Sequence, residues 1–228
     1  MRLVRHSLLS VAAAAALTLA GCDNKSAESA SAANGGASAS GSGSSASAAA
    51  SAAPKAPFAF HGADITGATY ARTLALPDID GKQRSLADFK GKVTVVFFGY
   101  TQCPDVCPAT MSELAQVKKS LGADGDKIQG VFVSIDPERD TPAILKSYMA
   151  SFDPSFVALR GSPEQTAAAA KEFKVFYAKV PSRAAGSYTM DHTAGSFVLD
   201  GDGKVRLFER YGGPPEELAA DLKALMAG

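Results

Sequence analysis

The sequence predicts an α/β domain, a central mixed sheet with helices on both faces and an N-terminal β extension. Three observations lead there. Apolar runs without polar alternation at residues 93–99 and 130–135 have the pattern of strands covered on both faces. Each is followed by a segment with apolar residues at helical spacing, so strands and helices alternate along the chain. Near the end, Asp200-Gly201-Asp202-Gly203 joins two further strand-like segments in a hairpin ahead of a last amphipathic helix.

Not all of the 228 residues carry this pattern. Residues 1–22 read as a secretory signal. Arg2 and Arg5 precede a short apolar run at 8–20, and Leu19-Ala20-Gly21-Cys22 resembles the bacterial lipobox, in which the cysteine is lipidated. Acyl chains on Cys22 would anchor the protein to a membrane without spanning it. Asp23, next in the chain, favours inner-membrane retention in enterobacterial lipoproteins. Residues 23–56 are nearly all Ala, Ser and Gly, which cannot bury enough apolar surface to offset chain entropy. They are expected to form a flexible tether with a root-mean-square reach of roughly 30 Å. The globular domain is expected to span 57–228.

Within that domain, 63–76 and 78–84 are expected as short strands, with a tight turn at Asp80-Gly81. The strand at 93–99 leads to a helix over 107–121, with Met111, Leu114, Ala115 and Leu121 at helical spacing and Gly122 as its C-terminal cap. After the strand at 130–135, Thr141-Pro142 opens a helix with Leu145, Tyr148 and Met149 on one face. A short strand at 156–159 precedes Ser162-Pro163-Glu164-Gln165, a capping box with proline at the first helical position, and a helix to about Phe173. Residues 175–180 read as a strand, followed by a polar loop to Ser187. Strands at 195–200 and 204–209 flank the hairpin turn. Pro214-Pro215 opens the final helix, which carries Leu218, Leu222 and Leu225.

Composition narrows the function classes. Formal net charge is zero, so no broad basic surface argues for nucleic acid. Three cysteines are too few for a disulfide scaffold. With Cys22 assigned to the anchor, Cys103 and Cys107 remain, where the first buried strand gives way to a helix. Their spacing places both on one helix face if the turn is helical, and also permits a Cys103–Cys107 disulfide. A helix N-terminus favours the thiolate, which is both the nucleophile and the metal ligand. The pair alone therefore leaves redox work, metal work and an inert bridge open.

The strand order and the position of the cysteines resemble the thioredoxin-like fold. In that chain order the loop Tyr188-Thr189-Met190-Asp191-His192-Thr193-Ala194 faces the cysteine turn. Thioredoxins carry a cis-proline there; this chain has no proline between Ser187 and Asp200. His6 lies in the signal and His61 at the edge of the tether, which leaves His192 as the histidine inside the fold. Two thiolates and one imidazole make a soft three-ligand site that suits Cu(I), with a fourth weak ligand or water completing Cu(II). Ser134-Ile135-Asp136-Pro137-Glu138-Arg139-Asp140-Thr141-Pro142 follows a central strand and so lies at the carboxyl edge of the sheet. Asp136 is a candidate for orienting a ligand, and Asp140 is expected to cap the next helix.

Phe98-Gly99-Tyr100-Thr101-Gln102-Cys103-Pro104-Asp105-Val106-Cys107-Pro108, the Ser134–Pro142 stretch and Asp191-His192-Thr193 together resemble the SCO1/SenC family of copper proteins. The resemblance covers most of residues 65–228. It implies a thioredoxin-like, membrane-tethered protein that helps assemble the binuclear copper centre of cytochrome c oxidase. The copper ligands it implies are Cys103, Cys107 and His192, with Asp136 and Asp191 supporting the site or facing a partner. The implied partners are the copper-bearing oxidase subunit and a periplasmic copper donor. The implied location is the periplasmic face of the inner membrane, held by lipid at Cys22. The alternative is a thiol–disulfide oxidoreductase in which Cys103 and Cys107 work as a redox pair on the acceptor's cysteines. A thiol peroxidase is a third reading; glutathione-peroxidase-like sites pair cysteine with Gln and Trp, and this chain has no Trp.

Overall fold

The structure is a computed structural model that describes residues 59–182 and 187–227; the expected signal at 1–22, the anchor Cys22 and the expected tether at 23–56 lie outside them. In chain order the elements are Ala63–Asp64 (β1), Ala75–Pro77 (β2), Gln83–Ser85 (β3), Val93–Gly99 (β4), Val106–Ser120 (α1), Ile128–Ser134 (β5), Pro142–Ala150 (α2), Val157–Leu159 (β6), Pro163–Glu172 (α3), Tyr177–Pro181 (β7), Tyr188–His192 (β8), Gly195–Leu199 (β9), Val205–Arg210 (β10) and Pro215–Met226 (α4).

Six strands form one mixed sheet in the order β1-β10-β9-β4-β5-β6. The strands β4, β5 and β6 are parallel, while β9, β10 and β1 add antiparallel on the other side. Every residue of β4 and β5 is buried, which is why these runs lack polar alternation: helices cover both faces of the sheet centre. The one long polar side chain in them, Gln129, is satisfied by donating to the carbonyls of Gly130 (2.9 Å) and Ser155 (2.8 Å). Phe98, Phe173 and Phe197 pack in a chain of ring contacts 5.2 Å apart that ties β4 and β9 to the end of α3.

The helix ends follow the sequence signals. Thr141 accepts the Ile144 N–H at 3.3 Å, and Ser162 and Gln165 form the reciprocal capping box. Gly122, just past α1, takes a φ of +58° that a side chain would resist. Asp140 does not cap α2; Thr141 does.

The expected strand at 63–76 is mostly turn: only its two ends pair, and the chain between them bends through Gly67 (φ +83°) and Ala71 (φ +55°). The expected strand at 78–84 is likewise interrupted. The buried Asp78 carboxylate accepts the N–H groups of Asp80 and Lys82 and the Arg84 guanidinium, winding the turn around itself, so only 83–85 pair with β2. The His192 segment, expected as a loop, is a strand. It pairs with β7 in a separate two-stranded sheet, with His192 opposite Tyr177 and Tyr188 opposite Pro181.

Candidate metal centre

Strand β4 brings the chain to the carboxyl edge of the sheet at Gly99. Residues 100–105 then turn into α1, so Cys103 lies in the turn, ahead of the helix, and Cys107 in the helix's first turn. Cys107 is fully buried and Cys103 half-buried; both are free thiols. Gly99 makes the space: a Cβ there would stand 3.0 Å from Cys107 Sγ and 2.7 Å from the Phe97 ring. The Cys107 backbone N–H donates to Cys103 Sγ at 3.4 Å.

The turn is fastened from the neighbouring strand. Asp140 is completely buried. Its carboxylate accepts from the Thr101 hydroxyl (2.6 Å), the Thr101 N–H (3.1 Å) and the Ser134 hydroxyl (2.6 Å). Burial pushes its pKa up more than these donors pull it down.

His192 reaches the cysteines from the other sheet. Its Nε2 lies 3.6 Å from Cys107 Sγ, and its Nδ1 lies 3.0 Å from the Thr193 carbonyl. A carbonyl only accepts, so Nδ1 carries a proton, and Nε2 is the ring nitrogen that faces the sulfurs. The ring is held edge-on by Phe97 (5.9 Å) and Tyr100 (6.0 Å). Thr193 in turn exchanges two bonds of 3.0 Å with the backbone of Phe176. The ligating atoms of Cys103, Cys107 and His192 lie within 4.8 Å of one another, and among the described residues they form the one such group of three.

The two thiols hold their protons differently. The hydrogen bond from Cys107 draws the Cys103 thiol down to about 5 against the opposing effect of burial, with help from the N–H groups of Cys107 and Asp105 and from His192. The same bond, together with burial, pushes Cys107 far up. Cys103 is thus the thiolate and Cys107 the thiol that donates to it. A surface depression of about 450 Å³ opens onto Cys103 and His192, with Pro104, Asp105, Val106, Phe176, Met190, Asp191 and Ala194 completing its lining; Cys107 lies buried behind it. A larger cleft of about 790 Å³ lies at the β9–β10 turn and includes none of the three donors.

Asp191 is exposed at the mouth of the depression. Asp136 is only 1% exposed. One of its oxygens pairs with Arg139 and the other accepts the Tyr188 hydroxyl at 2.8 Å. It therefore touches the strand that carries His192 and none of the three donors. Arg139, Tyr188, Thr193 and the turn-holding role of Asp140 were not singled out by the sequence. The Ser134–Pro142 stretch drew attention to its acids only, and the partners of Asp140 lie up to 39 residues away.

The SCO1/SenC family model matches residues 63–227. The mouse protein "Protein SCO2 homolog, mitochondrial" is 38% identical over 142 residues, 61% of this chain; the match spans only 54% of that relative. Among solved structures, copper-bound ScoI from Bradyrhizobium japonicum is 44% identical with a TM-score of 0.61, covering 67% of this chain and 97% of that one. Apo Sco1 from Thermus thermophilus is 38% identical with a TM-score of 0.66, covering 75% and 99%. BsSco, described with a disulfide switch and as a member of the Sco family of cytochrome c oxidase assembly proteins, is 25% identical with a TM-score of 0.53, covering 69% and 93%.

Proposed function

The chain belongs to the SCO1/SenC family, and from that premise we propose that it is a copper metallochaperone. It delivers copper to the copper-bearing subunit of cytochrome c oxidase and helps assemble the binuclear copper centre there. The observation that carries this reading is the convergence of two sulfurs and one imidazole nitrogen within 4.8 Å, with Cys103 and His192 lining an open depression. Cys103, Cys107 and His192 are the proposed ligands. Two sulfurs and one nitrogen suit the soft Cu(I) ion, and a fourth ligand would complete Cu(II). Binding takes the remaining proton from Cys107. Three ligands leave one side open, so an acceptor's ligand enters before one of the three departs.

The N-terminal segments fit the same role. We read 1–22 as the lipoprotein signal, Cys22 as the lipidated residue, 23–56 as the tether and 57–228 as the working domain, on the periplasmic face of the inner membrane. No helix among the described residues is long and apolar enough to cross a membrane. A periplasmic copper donor would load the site.

One observation favours a second activity. A half-buried thiolate at Cys103 beside a buried thiol at Cys107 is the asymmetry of an attacking and a resolving cysteine. The Cys103 thiolate would attack an acceptor disulfide, and Cys107 would then displace the acceptor's sulfur. The acceptor is left with two thiols and this chain with a Cys103–Cys107 disulfide. The same oxidation would release copper.

Metal analysis of the reduced protein tests the main reading. We expect one copper per chain, with thiolate-to-Cu(II) charge-transfer bands in the oxidised-metal form. His192→Ala is expected to lower copper affinity at least tenfold while leaving thiol exchange largely intact, and stoichiometric binding of unchanged affinity in that variant would sink the three-ligand site.

A further inference from the structure

We propose that Arg139 is a positioning residue for the metal centre, holding the strand that carries His192 against the turn that carries Cys103. The proposal rests on the copper reading above.

The need for such a group follows from the topology. Strand β8 pairs with β7 and with no strand of the six-stranded sheet. Ladder bonds to β4 start only at Ser196, opposite Phe97 and four residues past His192, so the start of β8 at Tyr188 is placed against the cysteine turn by side chains. Arg139, in the turn between β5 and α2, touches both parts. Its Nη1 donates to the Gln102 side-chain oxygen at 3.1 Å, beside Cys103, and to the Tyr188 carbonyl at 2.8 Å, at the start of β8. Its guanidinium lies over the Tyr188 ring, 3.6 Å from the centroid. Its Nε pairs with Asp136, which accepts the Tyr188 hydroxyl at 2.8 Å. Asp136, Arg139 and Tyr188 thus close a ring of contacts around the first residue of the strand that ends at His192.

A second tie, Lys179 to Glu138 at 2.7 Å, also holds the ribbon, but it is exposed and does not touch the cysteine turn. The demand on Arg139 is also geometric. One planar group must pair with a carboxylate, donate to two oxygens on separate segments and stack on a ring, which the point charge of lysine cannot do.

The test is a double-mutant cycle on copper affinity, measured by competition with a Cu(I) chelator in wild type, Arg139→Gln, His192→Ala and the double variant. Arg139→Gln is expected to weaken binding about tenfold in the wild-type background and less than about twofold when His192 is already gone, because it acts through His192. Arg139→Lys should not restore affinity. Equal losses in both backgrounds would overturn the proposal. The metal-free proteins give a readout independent of copper. The His192 imidazole ¹H–¹⁵N signals should shift in Arg139→Gln, and unchanged signals would overturn the proposal. If Arg139→Gln does not fold, Tyr188→Phe removes the hydroxyl bond to Asp136 while keeping the ring, and the same two readouts apply. A wild-type protein that binds no copper would defeat the copper reading, while the metal-free signals would still decide the role of Arg139.

Discussion

At the scale of single residues, Cys103 and Cys107 share one proton unequally, and that inequality is measurable. Cys103 is half-buried and ionised well below neutral pH, whereas Cys107 is buried and keeps its proton. Iodoacetamide should therefore modify Cys103 first, at a rate that levels off above about pH 6, because the thiolate fraction is then already near one. Cys107 should stay unmodified on that timescale, as peptide mass spectrometry would report. A Cys103 rate still climbing between pH 7 and 9, or equal labelling of the two, would contradict the assignment. The grouping of Cys103, Cys107 and His192 was legible in the sequence because cysteine and histidine are scarce in the domain. Asp140 was not, because an aspartate beside Thr-Pro has an ordinary local explanation as a cap. Its bonds to Thr101 and Ser134 exist only once β4 and β5 lie side by side.

At the scale of elements, the helices were legible almost to the residue, since their signals are local: Thr141 and Ser162 as caps, prolines at first positions, Gly122 after α1. The N-terminal strands and β8 were not. Asp78 makes a turn inside the segment expected as a strand, and β8 hides because only Met190 in its middle is buried. Central packing has a sharper consequence at Gly99, the last residue of β4. Gly99→Ala would drive a methyl group into Phe97, Phe132 and Cys107 Sγ, all within 3.0 Å of the new atom. We expect a loss of about 1–3 kcal/mol in urea unfolding, together with weaker copper binding because Cys107 must move. Wild-type stability in that variant would show that the strand end yields more easily than its packing indicates.

At the scale of the whole domain, the start of the described chain is fastened to the last helix by carboxylates. Asp221 is fully buried and accepts the N–H groups of His61 (2.9 Å) and Gly62 (2.8 Å) and the His61 ring at 3.0 Å. Beside it, burial first and the Asp221 charge second push Glu209 up to about 7, while the bond to Asp221 raises His61. Folding thus holds a proton on Glu209 from its ordinary value near 4.5 up to about 7, where the unfolded chain has released it. Its contribution is present below that window and is lost as pH rises through it. The depressed Cys103 pulls stability the other way, so the useful comparison is with a variant: Glu209→Gln should gain on wild type in urea midpoint between pH 5 and pH 8. A constant difference across that range would refute the linkage. The fold class itself was readable because β4 and β5 advertise their burial, whereas this fastening joins residues 160 apart and leaves no local mark. The separate sheet that carries His192 has one more consequence. Cys107 and His192 are 85 residues apart in the chain and meet only after both sheets have formed and docked. A partly folded or truncated copy can offer two sulfurs but no imidazole. On the copper reading proposed above, a finished molecule would hold the ion more tightly than an unfinished one, and a bound ion at a thousand times its dissociation constant would secure the finished state by about 4 kcal/mol.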